Sequence, residues 1–254
     1  MKNKKENTSW GGVAPWYNEH LENNTDSYQE KVIYPNISRI LDLKKQDRFL
    51  DLACGQGFFS NKLFSFGANI TGADISKELI EFAKKHNSKI NYFVTEADNL
   101  SFAKDSSFNK VAIILALQNM ENPHLVLKEV SRVLDKNGKL VLVLNHPVFR
   151  NPGNTEWGFD PKSNTQYRRI DEYLTSSKSK IVMNPGSKVQ NSTISYHHSL
   201  QDIFKMLQRA DFHVSKLEEW ISHKKSEKGP RQKAEDNARK EIPLFMMIEA
   251  TKLS

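Results

Sequence analysis

Phe49-Leu50-Asp51-Leu52-Ala53-Cys54-Gly55-Gln56-Gly57 decides the reading of this 254-residue chain. Arg48 to Ala53 is a short, mostly apolar run with the length of a buried strand. It enters a tight turn with two glycines, and a helix pattern follows with Phe58, Leu63 and Phe66 apolar. A strand, a glycine turn and a helix N-terminus together direct backbone N–H groups toward a ligand. Glycine lets the backbone approach that ligand closely.

Two features bear on the ligand. Ser60 stands where a dinucleotide fingerprint has its third glycine. Asp51 places a carboxylate at the strand end, where it repels a pyrophosphate and attracts an ammonium or sulfonium. The pattern Asp-x-x-x-Gly-x-Gly therefore suits S-adenosylmethionine better than NAD. In this form the stretch resembles the first motif of the class I S-adenosylmethionine-dependent methyltransferases. An ordinary strand–turn–helix with incidental glycines is the alternative, so the remaining chain has to decide.

Working outward, Asn69 to Ala73 reads as a second strand ending at Asp74, one crossover helix beyond the turn. An acidic residue there can accept hydrogen bonds from two ribose hydroxyls, or can cap the helix expected from Ser76 to His86. Ile90 to Val94 is a third strand, and Phe108 to Leu117 is a continuous apolar run expected as the central fourth strand. Pro123 to Leu134 is a helix with Pro at its start. Asp135 to Gly138 is a turn, and Lys139 to Leu144 a fifth strand. Residues 45–145 resemble the methyltransferase core throughout.

The resemblance implies an α/β fold: a Rossmann-like, seven-stranded, mostly parallel sheet with the last strand antiparallel and helices on both faces. It also implies cofactor contacts from Tyr17, Asp51, Ala53, Gly55, Gly57, Asp74, Ile75, Asp98, Asn99, Leu117 and Gln118. In that scheme Ile75 packs on the adenine and Asp98 meets its amino group, although a turn-forming Asp before Asn99 is an equal reading of Asp98 alone. Two N-terminal helices, Gly12 to Glu22 and Ser27 to Leu41 with Pro35 inside it, match the lid helices of such enzymes, which makes Trp16 and Tyr17 lid residues.

The expected organisation is residues 1–43 as lid helices, 44–145 as the S-adenosylmethionine-binding core, 146–198 as an inserted cap, and 199–254 as the rest of the core. The insertion is too long for a simple loop and carries Trp157, Phe159, Tyr167 and Tyr173. Strand-like pieces fall at Gln166 to Ile170, Lys180 to Met183 and Ser192 to Tyr196. A helix from Ser199 to Arg209 and strands from Phe212 to Trp220 and Ile242 to Ala250 complete the sheet, with a second insertion at Ser222 to Glu241. Both insertions should leave at the carboxyl edge, where open α/β sheets bind ligands, and should form the acceptor pocket. Arg168 and Arg169 are strand neighbours, so only one can point inward, where it would suit an anionic group on the acceptor.

Composition narrows the function. No apolar run reaches membrane-span length, the polar basic start is not a secretory signal, and one cysteine excludes an internal disulfide framework and fits a reducing cytoplasm. The net charge of +7 permits an anionic or nucleic-acid partner, but the basic residues are scattered. Acidic and histidine residues show no metal-ligand spacing, so no metal is expected. Transfer of a methyl group to a small-molecule acceptor is the leading reading, with His146 at the end of strand five as the best-placed general base and Tyr17, His197 and His198 behind it. RNA methylation is the alternative. A nucleotide-binding module or NAD-type oxidoreductase fits less well. Similar sequences include the ubiquinone/menaquinone-biosynthesis and other type 11 methyltransferases, with the acceptor left open by the insertions.

Overall fold

The computed structural model describes residues 25–182 and 192–253, so Trp16 and Tyr17 lie outside the described residues. The chain enters through a π-type turn at Gln29–Ile33 that leads into helix α1 (Tyr34–Leu41). Pro35 at the start of α1 has no N–H to give to the preceding turn. The wide turn, in which the Tyr34 N–H bonds to the Gln29 carbonyl, accommodates that loss.

The core then alternates strand and helix. It comprises β1 (Arg48–Leu52), α2 (Phe58–Leu63), β2 (Asn69–Asp74), α3 (Lys77–His86), β3 (Asn91–Val94), β4 (Phe108–Ile114), α4 (Pro123–Val133) and β5 (Leu134–Asn145). The expected turn at residues 135–138 is a bulge inside β5, where the pairing with β4 shifts register between Phe108 and Lys110. Two hairpins follow: β6 (Thr155–Asp160) with β7 (Thr165–Ile170), and β8 (Ser177–Val182) with β9 (Ser192–His197). Strand β6 has no counterpart in the sequence reading. Helix α5 (Leu200–Arg209), β10 (Phe212–Trp220), α6 (Gln232–Glu241) and β11 (Phe245–Lys252) close the chain.

Seven strands form one sheet in the order β10-β11-β5-β4-β1-β2-β3. Six strands run in one direction, and β11 alone is reversed, antiparallel to both its neighbours β5 and β10. Alternation along the strands sends side chains to opposite faces. Leu50, Leu52, Val111, Ile113, Leu140 and Leu142 pack with α4 and α5 on one face. Phe49, Ile70, Ala112, Val141, Val143 and Met247 pack with α1 and α3 on the other. Trp220, Phe245 and Asn145 are successive cross-strand partners, so β5 and β10 both release their insertions at the same carboxyl edge.

Expectation and structure part at the end of β4. The strand stops at Ile114 rather than at Leu117, because Leu115 adopts a left-handed backbone with φ of 54° and a 3-10 turn follows at Leu117–Asn119. Leu115 keeps its N–H on the Val143 carbonyl at 2.7 Å while the chain turns away. That rotation redistributes the residues expected at the site.

Candidate functional site

The turn after β1 needs its two glycines for different reasons. Gly57 (φ 78°) is the N-cap of α2, and a Cβ there would stand 2.6 Å from the Tyr92 hydroxyl and 3.0 Å from Ala83 Cβ. Gly55 (φ 57°) has no protein atom closer than Leu79 Cδ1 at 4.0 Å from a built Cβ, so its bare backbone faces an open groove. Ala53 is also left-handed, with φ of 60°, a conformation that costs a non-glycine residue on the order of 1 kcal/mol.

Two carboxylates converge on this turn. Asp51 is buried and accepts a hydrogen bond from Ser60 Oγ at 2.6 Å. Burial pushes its carboxyl up to about 6, against the lowering effect of the Ser60 hydrogen bonds, and the neighbouring Asp74 charge adds to the rise. Asp74 accepts the Gly55 N–H at 2.9 Å and the Ser76 N–H at 2.8 Å, one on each oxygen. Burial raises its affinity for a proton while those backbone donors oppose the rise. Asp74 thus pins the glycine turn to the end of β2. Ser76, not Asp74, caps α3, through Oγ to the Leu79 N–H at 3.2 Å.

A groove runs along the carboxyl ends of β1, β2 and β4. Its inner part is lined by Asp51, Ala53, Gly55, Gln56 and Asp74, together with Gln29 from the N-terminal turn. The outer part continues past Asp74, Ile75, Thr95, Glu96 and Asp98. Ile75 is half exposed at the junction, an apolar surface open to a flat ligand. Of the expected cofactor residues, the structure brings Asp51, Ala53, Gly55, Asp74, Ile75 and Asp98 to this groove; Gly57 shapes its turn from behind.

Three expectations need correction. Leu117 and Gln118 do not line the groove; the turn set by Leu115 faces them into a second cavity and presents Asn119 and Met120 to the groove instead. Asn99 is exposed and donates its N–H to the Glu96 carbonyl at 3.1 Å, which leaves Asp98 without it. His146 is buried with both ring nitrogens engaged: Nδ1 accepts the Val148 N–H at 3.3 Å, and Nε2 contacts Glu219 at 2.7 Å. Burial lowers its proton affinity despite Glu219. Neither nitrogen is free to take a proton from a substrate, and His146 lines neither cavity.

Phe159, Tyr167 and Tyr173 make contacts within the cap and to its anchors, whereas Tyr196 of β9 lines the second cavity. Tyr167 lies across Gly158, whose position has no room for a Cβ beside that ring. Arg231 stacks on Phe159 at 4.4 Å, joining the first hairpin to the second insertion. The Tyr173 hydroxyl accepts the Leu200 N–H at 2.7 Å, which fastens the cap to α5. Of the paired arginines, Arg168 turns inward, to the Phe149 carbonyl at 3.0 Å and Thr155 Oγ1 at 2.6 Å. Arg169 turns outward to Glu156 and Asp171.

Residues that sequence reasoning missed are Ser60, whose hydroxyl holds Asp51, and Gln56, Asn119 and Met120, which line the groove. Gln56 Oε1 is buried there without a hydrogen-bond partner. Ser60 was visible as a departure from the dinucleotide pattern; Asn119 and Met120 carried no signal before the turn at Leu115 was known. Among the described residues, no group of His, Cys, Asp and Glu could hold a metal ion, and no helix is long and apolar enough to cross a membrane.

Residues 50–142 match the family model described as a methyltransferase domain. A demethylmenaquinone methyltransferase of Paenarthrobacter aurescens is 33% identical over 109 residues, covering 42% of this chain and 43% of that protein. A ubiquinone biosynthesis O-methyltransferase of Xanthomonas oryzae is 30% identical over 110 residues, covering 42% of this chain and 46% of that protein. The chain thus spans less than half the length of these curated relatives. The crystal structure of an S-adenosylmethionine-dependent methyltransferase from Mesorhizobium loti superposes with a TM-score of 0.70 at 22% identity, over 89% of this chain and all of that one. The glycine turn and its two flanking carboxylates thus lie inside the segment that matches the methyltransferase domain model, on a sheet that has the fold of the Mesorhizobium loti structure.

Proposed function

We propose that the chain transfers a methyl group from S-adenosylmethionine to a small-molecule acceptor held between the groove and the cap. The observation that carries this reading is the pair Asp51 and Asp74 around the Gly55 turn. Their burial raises both carboxyls, so a cationic ligand beside them is stabilised by charge and in turn favours their ionised forms. The residues fit the cofactor: Gly55 leaves room for close approach, and Gln56 Oε1 awaits a donor.

Bound S-adenosylmethionine would supply an electrophilic methyl group on its sulfonium. The chain's own residues orient and bind. Each Asp74 oxygen already accepts one backbone N–H but keeps a further lone-pair direction, which suits two ribose hydroxyls. Ile75 offers an adenine face, and Asp98 an acceptor for its amino group. Asn119 and Met120 replace Leu117 and Gln118 as the wall contributed by β4. With His146 committed elsewhere, rate comes from positioning and exclusion of water rather than from a general base at that residue.

The names of the relatives support small acceptors. For the alternative, RNA, the basic loop after β10 offers Lys224, Lys225 and Lys228, yet Lys224 is paired with Asp26 and Glu227 sits among them. Calorimetry with S-adenosylmethionine, its demethylated product and NAD tests the cofactor. Labelled methyl transfer into a metabolite extract, compared with transfer into tRNA or rRNA, tests the acceptor. Binding of NAD alone, or transfer only into RNA, would overturn the reading.

A further inference from the structure

A second cavity lies beside the groove, behind the turn at Leu117–Asn119. It is framed by the end of β5, strand β9 and helix α5. Ser195 Oγ donates to the Gln118 carbonyl at 3.4 Å, so β9 of the cap closes directly onto the turn that walls the groove. Leu144, Pro147, Ile203 and Met206 make most of the lining apolar. Its volume of about 40 Å³ is far below the roughly 150 Å³ that holds a benzene ring, so it admits a polar head group while the rest of a ligand stays at the mouth.

The cavity holds three polar groups that the fold does not use. Gln118 donates its amide to the Leu115 carbonyl at 3.0 Å, but its Oε1 is buried without a hydrogen-bond partner. Oε1 is an acceptor only, so whatever satisfies it has to donate. His198 Nε2 is likewise buried and without a partner. Burial, its main influence, lowers the proton affinity of His198 and keeps it a neutral ring able to give or take one hydrogen bond. Arg150 lines the same cavity from its exposed side and forms no ion pair among the described residues. His197 is different, because its Nε2 is satisfied by the Tyr173 carbonyl at 2.7 Å.

We propose that this cavity is the recognition subsite for the methyl acceptor. It takes the donor group of a compact acceptor against Gln118 and His198, while the acceptor's body and an anionic group remain at the mouth beside Arg150. This rests on the methyl-transfer reading and adds the acceptor's chemical class to it. Gln118 and His198 recognise the acceptor, and the groove side of the same turn, Asn119 and Met120, faces the cofactor. A buried acceptor left unpaired costs more than an average hydrogen bond gains, so such a site rejects ligands that lack the donor. The guanidinium at the mouth, with no ion pair among the described residues, selects for the anion.

The test titrates the full chain, saturated with the demethylated product of S-adenosylmethionine, with 4-hydroxybenzoate, phenol and benzoate. 4-Hydroxybenzoate should bind about tenfold more tightly than either parent, since each lacks one of the two recognised groups. Arg150→Gln should erase the margin over phenol, and Gln118→Leu the margin over benzoate. A parallel titration with 4-hydroxyphenyl phosphate shows whether the preferred anion is carboxylate or phosphate. The ligand series needs only the natural chain, so it stands even if a variant fails to fold. Equal binding of the three ligands, binding of none, or variants that keep both margins would overturn the proposal. Failure of the demethylated product to bind in the first place would instead overturn the methyl-transfer reading beneath it.

Discussion

Ser60 Oγ donates to Asp51 at 2.6 Å inside the first strand–turn–helix, from the position where a dinucleotide site has its third glycine. One substitution relative to that pattern thus both removes a close helix–strand approach and supplies the donor that keeps a buried carboxylate anionic.

Asp51 should trade stability for binding. Its carboxyl is raised from 3.8 to about 6, so between those values the folded chain holds a proton that the unfolded chain has released. That contribution to stability is present in full below about pH 4 and is lost as the pH rises through 6. Asp51→Asn should therefore stabilise the ligand-free protein at pH 7.5 by up to about 3 kcal/mol, with the gain shrinking toward pH 4.5. Denaturant unfolding at three pH values reads this. Calorimetry should show S-adenosylmethionine affinity rising through pH 6 in the natural chain and a flat, weak response in the variant.

The two turn glycines should separate into a binding and a folding position. Gly55→Ala puts a methyl group into the groove and costs only the left-handed backbone, about 1 kcal/mol of stability, while weakening the cofactor at least tenfold. Gly57→Ala adds a collision with the Tyr92 hydroxyl and should cost on the order of 2–3 kcal/mol. Tyr92→Phe, which removes the oxygen nearest the new methyl, should recover part of the loss in a double-mutant cycle. Equal stability of the two alanine variants would refute this division.

Asp74→Ala removes the acceptor for both Gly55 and Ser76. We expect a stability loss of about 2–4 kcal/mol from two unpaired buried N–H groups, together with loss of measurable S-adenosylmethionine binding. Asp74→Asn, which keeps one acceptor oxygen, should fall between. A folded Asp74→Ala protein with unchanged affinity would remove Asp74 from the site.

His146 should prove to be a positioning residue. His146→Gln should lower the melting temperature, since it disturbs the contact with Glu219, yet leave the shape of the pH–rate profile unaltered. Disappearance of a rate limb near neutral pH in the variant would reinstate it as a base.

Excision of the first hairpin, residues 155–170, should spare S-adenosylmethionine binding, because no residue of that segment lines the groove. Methyl transfer should fall as the cap loses its Phe159–Arg231 anchor to the second insertion. Full activity in the shortened chain would mark the hairpin as a surface elaboration.

Much of the core could be read from the sequence because its determinants are local. The apolar runs of β1, β4 and β5 and the glycine turn each announce themselves within about ten residues. What escaped depends on distant contacts. Nothing near Leu115 signals a left-handed residue inside an apolar run, yet that single angle moves Gln118 out of the groove and Asn119 into it. His146 looked available until β10 brought Glu219 to its ring. Strand β6 was hidden by its Trp-Gly-Phe composition, although Asp160 to Asn164 carries usable turn chemistry, with the Asp160 carboxylate accepting from Lys162 and Ser163 and Asn164 left-handed.

The place of β11 bears on how the chain is made. Phe245–Lys252 threads between β5 and β10, pairs with both, and buries Met246, Met247 and Ile248 completely. During synthesis, the cofactor-binding half can collapse once residues up to β5 have left the ribosome. The far end of the sheet has to wait for the last residues described. Until they arrive, β5 presents an apolar edge and β10 has no neighbour, an arrangement open to pairing with another nascent copy. Loss of those eight residues would therefore leave a half-finished sheet exposed to aggregation and chaperone capture, rather than a slightly shorter folded chain.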